Sequence, residues 1–142
     1  MSEKVLLVDD EKDFLESLSE RMSVRGMNVS TAENPAEAMK AVDADSYDAI
    51  VLDLQMPEMN GIDLLKFIRE KHPEMQVILL TGHATLEKGV QAMKLGAMDF
   101  MEKPADIDVL TDKIKKAQAR KLVLVEKMTE DKIKEIMTTK GW

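Results

Sequence analysis

The residues able to do chemistry in this chain are carboxylates placed directly behind short apolar runs. Asp9 and Asp10 follow Val5-Leu6-Leu7-Val8, and Asp53 follows Ala49-Ile50-Val51-Leu52. A continuous apolar run of this length reads as a strand buried on both faces, as in a parallel sheet. Such a strand has no local use for a charge at its end. In open parallel sheets ligands bind just beyond the carboxyl ends of the strands, so Asp53 is a site candidate from position alone. Val77-Ile78-Leu79-Leu80 ends in the same way at Thr81, and a short run from Asp99 to Met101 ends at Lys103. Carboxylates gathered in one crevice repel: two unit charges about 4 Å apart cost roughly 4 kcal/mol at an effective dielectric of about 20. A hard divalent cation relieves that repulsion. Mg²⁺ typically accepts one or two carboxylates and keeps several waters and a phosphate oxygen. With the Lys103 ammonium and the Thr81 hydroxyl added, the set contains the parts that stabilise a phosphoryl group in transfer.

The elements that must position these groups alternate along the chain. Phe14, Leu15, Leu18 and Met22 recur at helical spacing, with Gly26 as the stop. Asn28-Val29-Ser30-Thr31-Ala32 alternates and is β-branched, which fits a half-exposed edge strand. Asn34-Pro35-Ala36-Glu37 starts a helix: Asn34 caps, Pro35 takes the first helical position and Glu37 reaches back. That helix ends between Val42 and Asp45. A third helix runs through Leu64, Leu65 and Ile68 to His72-Pro73, and a fourth is marked by Leu86, Val90 and Met93 and ended by Gly96. The last helix starts near Asp106 to Ile107. Five strands alternating with five helices predict an α/β fold, a doubly wound (βα)5 parallel sheet of flavodoxin-like order 2-1-3-4-5. Its switch point lies between the first and third strands, which gathers Asp9, Asp10 and Asp53.

Composition narrows the function classes. The chain has 142 residues, 44% of them hydrophobic and 33% charged, which suits one folded domain with an appendage rather than a disordered chain. No apolar run approaches the roughly 20 residues needed to cross a bilayer. The first residues lack a signal-peptide pattern, so the expected location is the cytoplasm. With no cysteine there is neither a disulfide framework nor a thiolate metal site. Residues 1–104 hold 11 Lys+Arg against 20 Asp+Glu, and residues 105–142 hold 9 against 7. An acidic body argues against direct nucleic-acid binding, which needs a cationic surface.

Taken singly, the site residues have ordinary readings. Asp9-Asp10 suits a helix N-cap pair, Thr81-Gly82 a turn, Lys103 a surface lysine and Phe100 a core aromatic. Their joint placement is what those readings do not explain. At this point the sequence resembles the receiver domain of bacterial two-component response regulators. The resemblance is carried by Val8-Asp9-Asp10-Glu11, by Asp53-Leu54-Gln55-Met56-Pro57-Glu58-Met59-Asn60-Gly61, by Thr81-Gly82 and by Phe100-Met101-Glu102-Lys103-Pro104. It covers about residues 3–118.

The resemblance implies a role for each matching position. Asp53 takes a phosphoryl group from a phosphohistidine on a sensor histidine kinase or phosphotransfer protein. Asp10 ligates Mg²⁺ directly, Asp9 assists largely through water, and Asp53 and the Gln55 backbone carbonyl complete the protein ligands. Thr81 contacts the phosphoryl oxygens and Lys103 pairs with them. The Lys103-Pro104 bond is expected to be cis. Phe100 is the switch aromatic, turning into space that Thr81 vacates and repacking the face of the fourth helix, fifth strand and fifth helix for a downstream protein target. On this reading the chain is a stand-alone phosphoacceptor switch that signals by binding a partner protein and does no catalysis beyond its own phosphorylation and dephosphorylation. Two alternatives stand beside it. One is the receiver fragment of a longer enhancer-binding-type transcription regulator. The other is an aspartyl-phosphate phosphatase, which would want a second aspartate two residues after the nucleophile, where this chain has Gln55.

Residues 1–120 are assigned to the receiver and residues 121–142 to a helical extension. Ile107, Leu110, Ile114, Ala117, Leu124 and Met128 follow a 3-4 alternation interrupted by Lys121. The extended helix therefore either folds back as core or pairs with a second copy as a short coiled coil. The face of helix four, strand five and helix five is the other homodimer surface. Residues 129–140 read as a separate short amphipathic helix through Ile133, Ile136 and Met137. His83, Glu58 and Asn60 read as solvated, and His72 as a helix-end residue.

Overall fold

The computed structural model describes residues 2–54, 61–82 and 86–139, with the side chain of Leu86 excepted. Gln55, Glu58, Asn60 and His83 lie outside the described residues, so the expectations for them are not addressed by the fold. The elements follow in the order β1 (Lys4–Val8), α1 (Lys12–Val24), β2 (Asn28–Ala32), α2 (Pro35–Ala44), β3 (Ala49–Leu52), α3 (Gly61–Lys71), β4 (Gln76–Thr81), α4 (Leu86–Lys94), β5 (Asp99–Glu102) and α5 (Ile107–Thr139). All strand pairs are parallel and the sheet order is β2-β1-β3-β4-β5. This is the doubly wound architecture that the alternating pattern predicts.

The apolar runs are buried on both faces because helices cover both. Leu6, Val8, Ile50, Leu52, Val77 and Leu79 point into a core closed by α2, α3 and α4. Their alternating neighbours Val5, Leu7, Ala49, Val51, Ile78 and Leu80 point into a second core closed by α1 and α5. The strand period of two sends successive side chains to opposite faces, so each run must be apolar throughout. β2, at the sheet edge, is only partly buried, as its mixed sequence requires.

Local signals set the helix starts. Glu37 N–H donates to the Asn34 side chain at 2.9 Å, and the Glu37 carboxylate accepts from the Glu33 N–H at 2.8 Å, one residue earlier than a capping box places it. α1 has Glu11 as its N-cap, which removes the reading of Asp9-Asp10 as a capping pair. At the ends of α2 and α3, the His72 ring meets the Asp43 carboxylate at 2.9 Å. Val90 is about half exposed, so it does not mark the buried face of α4; Ala92 does, with Met93 packed beside it.

The tail differs from expectation in two ways. α5 is a single helix from Ile107 to Thr139, so no separate helix begins at residue 129. Nor does the tail fold back: Ile107, Leu110, Ile114 and Ala117 are buried, whereas Leu122, Val123, Met128, Ile133, Ile136 and Met137 are exposed. Lys121, the interruption in the pattern, faces the body. Its ammonium reaches the Ser46 hydroxyl at 2.6 Å and the Asp48 carboxylate at 3.6 Å. Asp48 in turn accepts from the Lys4 N–H at 2.8 Å and from Gln118 at 3.3 Å.

Candidate functional site

Three candidate residues occupy the same structural position, one residue beyond the end of a strand or of its pairing. The Asp9 N–H donates to the carbonyl of Ala32, the last residue of β2, at 3.1 Å. The Asp53 N–H donates to the carbonyl of Val8, the last residue of β1, at 2.9 Å. The Lys103 N–H donates to the carbonyl of Thr81, the last residue of β4, at 2.9 Å. Each backbone is therefore fixed by one further inter-strand hydrogen bond. The carboxyl ends of β1 and β3 adjoin at the switch point, so Asp9 and Asp53 are brought together by the sheet itself.

The side chains converge as the spacing predicts. Asp9, Asp10 and Asp53 each present a carboxylate oxygen, and these oxygens lie within 4.8 Å of one another. Asp9 and Asp53 are buried and Asp10 is exposed. Both oxygens of Asp9 are engaged: one accepts the Glu11 N–H at 3.0 Å, the other the Lys103 ammonium at 2.7 Å. Lys103 lies 3.6 Å from the Asp53 carboxylate and 3.5 Å from that of Glu11. Burial works to lower the Lys103 pKa, but the hydrogen bond that its ammonium donates to Asp9 and the charges of Asp53, Asp9 and Glu11 outweigh it and raise the value above the usual lysine range. The ammonium is thus held charged among acids. Oxygen donors alone make the cluster suited to a hard cation such as Mg²⁺ rather than to a thiophilic metal.

Thr81 is fully buried at the end of β4, with its hydroxyl donating to the Gly82 carbonyl at 3.4 Å, a long and weak bond. Phe100 is half-buried on β5, opposite Leu79, and leans on the core beneath α4. The Lys103-Pro104 peptide is cis. Gly61, the first residue of α3, packs against the backbone of Asp53 and Leu54: a Cβ there would lie 2.7 Å from the Leu54 Cα and 3.0 Å from the Asp53 carbonyl oxygen. An open groove of about 560 Å³ at the opposite end of the sheet, beside Ser2, Ser46 and Asp48, is separate from these groups.

Two contributors to the site were not assigned roles from sequence. Glu11 adds a third acid to Lys103. Phe14, read as a core position from its helical spacing, places its ring under the Lys103 ammonium, 4.4 Å from ring centroid to nitrogen. The available signal was the i, i+3 spacing of Glu11 and Phe14 at the start of α1.

The family model described as response regulator receiver domain matches residues 5–115. An NtrX-like response regulator of Rickettsia bellii is 38% identical over 115 residues, covering 80% of this chain and 24% of that protein. The C4-dicarboxylate transport transcriptional regulatory protein DctD of Pseudomonas aeruginosa is 36% identical over 122 residues, covering 85% of this chain and 26% of that protein. The crystal structure of a response regulator receiver domain protein from Clostridium thermocellum superposes with a TM-score of 0.81 at 33% identity, covering 87% of this chain and 99% of that one. The chain thus spans about a quarter of the length of these two relatives. With its sheet order, strand-end acids and matched residues in agreement, the chain belongs to the response regulator receiver domain family.

Proposed function

We propose that this chain is a phosphoacceptor switch in which Asp53 takes a phosphoryl group from a phosphohistidine on a sensor histidine kinase or phosphotransfer protein. A carboxylate oxygen of Asp53 attacks phosphorus, the P–N bond breaks, and the imidazole nitrogen leaves with the electron pair and takes up a proton. The product is an acyl phosphate on Asp53. The observation that carries this reading is the convergence of the Asp9, Asp10 and Asp53 carboxylates, with the Lys103 ammonium set against Asp9 and Asp53. Asp10 and Asp53, with the Gln55 backbone carbonyl, are the proposed direct Mg²⁺ ligands. Asp9, whose oxygens already hold Lys103 and the Glu11 N–H, suits a contact through water. The bound ion would neutralise charge on the transferring oxygens.

Lys103 and Thr81 are the proposed partners of the phosphoryl oxygens. The weak bond of the Thr81 hydroxyl to Gly82 is cheap to exchange for a charge-assisted one. Phe100 would follow Thr81 and repack the face of α4, β5 and α5, through which a downstream protein is bound. The chain then performs no catalysis beyond gaining and losing its own phosphoryl group. Its location on this reading is the cytoplasm, in keeping with the absence of any membrane-spanning helix among the described residues. Since the chain spans about a quarter of DctD and of the NtrX-like protein, we read it as the receiver portion of an enhancer-binding-type regulator. We assign residues 1–120 to the receiver and 121–142 to the extension. Its acidic surface leaves any DNA contact to other parts of such a protein.

The test is to treat the wild type and Asp53→Asn with acetyl phosphate and Mg²⁺ and to measure mass. A labile gain of one phosphoryl group in the wild type alone is expected; an equal gain in both, or none in either, refutes the assignment.

A second reading concerns assembly and rests on the exposed stripe of α5. Leu122 and Val125 recur as Ile133 and Ile136 at the 11-residue interval that keeps one helix face aligned. We read that stripe as the surface that meets a second copy of this chain. Sedimentation with and without beryllofluoride checks it, and a monomer under both conditions removes it.

A further inference from the structure

Three acids compete for one ammonium at this site. Lys103 is drawn to Asp9 at 2.7 Å, to Asp53 at 3.6 Å and to Glu11 at 3.5 Å. Asp9 and Asp53 are buried, while the Glu11 side chain is 65% exposed and pulls the ammonium outward. A lysine stem has four rotatable methylenes, so charge alone does not select among these positions. The Phe14 ring lies under the nitrogen at 4.4 Å, is half-buried, and rests on the core beneath α1 and α5. An aromatic face attracts a cation without using any of its N–H donors. It also occupies space that water would otherwise fill.

We propose that Phe14 is a positioning residue for Lys103, its ring holding the ammonium between Asp9 and Asp53 with all three N–H donors free for oxygen partners. This rests on the reading of Asp53 as the phosphoacceptor, because that is the atom at which the ammonium is needed. Phe14 touches no reacting atom and acts only through Lys103. It belongs to the first turn of α1, so the helix that follows the acidic pair also carries the support for the lysine that faces it.

The test uses the full chain with Phe14→Leu and Phe14→Met, which keep apolar bulk, and Phe14→Tyr, which keeps the ring. The first readout needs no phosphorylation. In a proton–carbon correlation spectrum the Lys103 ε-methylene, assigned by its loss in Lys103→Arg, is expected upfield of the other lysines. It should return to their range in the Leu and Met variants and stay shifted in the Tyr variant. The second readout is the rate of Asp53 phosphorylation by acetyl phosphate. The Leu and Met variants should be about three- to tenfold slower, equivalent to about 0.6–1.4 kcal/mol, with the half-saturating Mg²⁺ concentration unchanged and the Tyr variant within about twofold of wild type. In a Lys103→Met background the Leu substitution should add nothing. An unshifted Lys103 methylene in the wild type, or an undiminished effect of Phe14→Leu without Lys103, overturns the proposal. Failure of both the wild type and Asp53→Asn to take up phosphoryl would instead sink the phosphoacceptor reading, with the spectrum still deciding whether Phe14 holds Lys103.

Discussion

Replacing Gly61 by alanine tests whether the start of α3 fixes the phosphoacceptor loop. The added methyl would sit 2.7 Å from the Leu54 Cα, 3.0 Å from the Asp53 carbonyl oxygen and 3.1 Å from that of Leu54. Ordinary carbon–carbon contact is about 3.5–4.0 Å, so the deficit against Leu54 is about 1 Å. Every close atom is backbone, and no rotamer change relieves the clash. Asp53 cannot retreat easily, because its N–H is bonded to Val8 at 2.9 Å. The helix start and the 53–54 segment must therefore part, at the roughly 1–3 kcal/mol typical of overpacking. Two other glycines calibrate the result. Gly26 has φ +88° and open space around it, so alanine there costs only about 1–2 kcal/mol of backbone strain. Gly89, inside α4, has as its nearest neighbour the Phe100 ring at 3.8 Å, an ordinary contact, and alanine should gain about 0.5–1 kcal/mol. Urea unfolding at pH 7 measures all three, with midpoints shifting at constant slope. Gly61→Ala should also slow Asp53 phosphorylation, which the other two should leave nearly unchanged. A Gly61→Ala protein within about 0.5 kcal/mol of wild type, phosphorylated at the wild-type rate, would refute the reasoning.

Three further outcomes follow from the same geometry. Mg²⁺ at about tenfold its dissociation constant should stabilise the wild type by roughly 1.4 kcal/mol in thermal unfolding and leave Asp10→Asn little changed; equal shifts would deny the cluster its ion. Asn34→Ala removes the acceptor of the Glu37 N–H and should cost about 1 kcal/mol in urea unfolding. Asp43 is held below the usual carboxylate range, chiefly by its hydrogen bond from His72; desolvation opposes this, and the Lys71 and His72 charges add to it. A depressed folded pKa gives stability that is present above the unfolded value and lost as pH falls through the folded one. The stability difference between wild type and Asp43→Asn should therefore persist near neutrality and shrink below about pH 4, read from unfolding midpoints across an acid series.

Much of the site was legible because its acids sit where backbone pattern alone puts them. Val8 and Leu52 are the last apolar residues of runs that only a two-faced sheet can bury, so Asp9 and Asp53 had to emerge at the same edge. What the pattern could not show were contacts made at a distance along the chain. Glu11 meets Lys103 across 92 residues, and helical spacing assigns Phe14 to a face without saying what lies above it. The tail misled for a related reason. Between Pro104 and Gly141 there is no proline or glycine to stop a helix, so the backbone continues to Thr139. The apolar residues change direction along it, from the body-facing Ile114 and Ala117 to the exposed Leu122 and Ile133, and that change imitates a boundary. Lys121 reads in sequence as a fault in a coiled-coil register; its partner Asp48 shows it instead to tie the helix to the segment that leads into β3.

The tie at Lys121 makes the end of α5 a lever. The 18 residues from Leu122 to Thr139 rise about 27 Å beyond it at about 1.5 Å each. A tilt of about 5° at the Lys121 fulcrum would sweep the tip through roughly 2 Å, the scale of helix shift that repacks interfaces between domains. Small repacking around the fulcrum would thus arrive magnified at the far end of the rod.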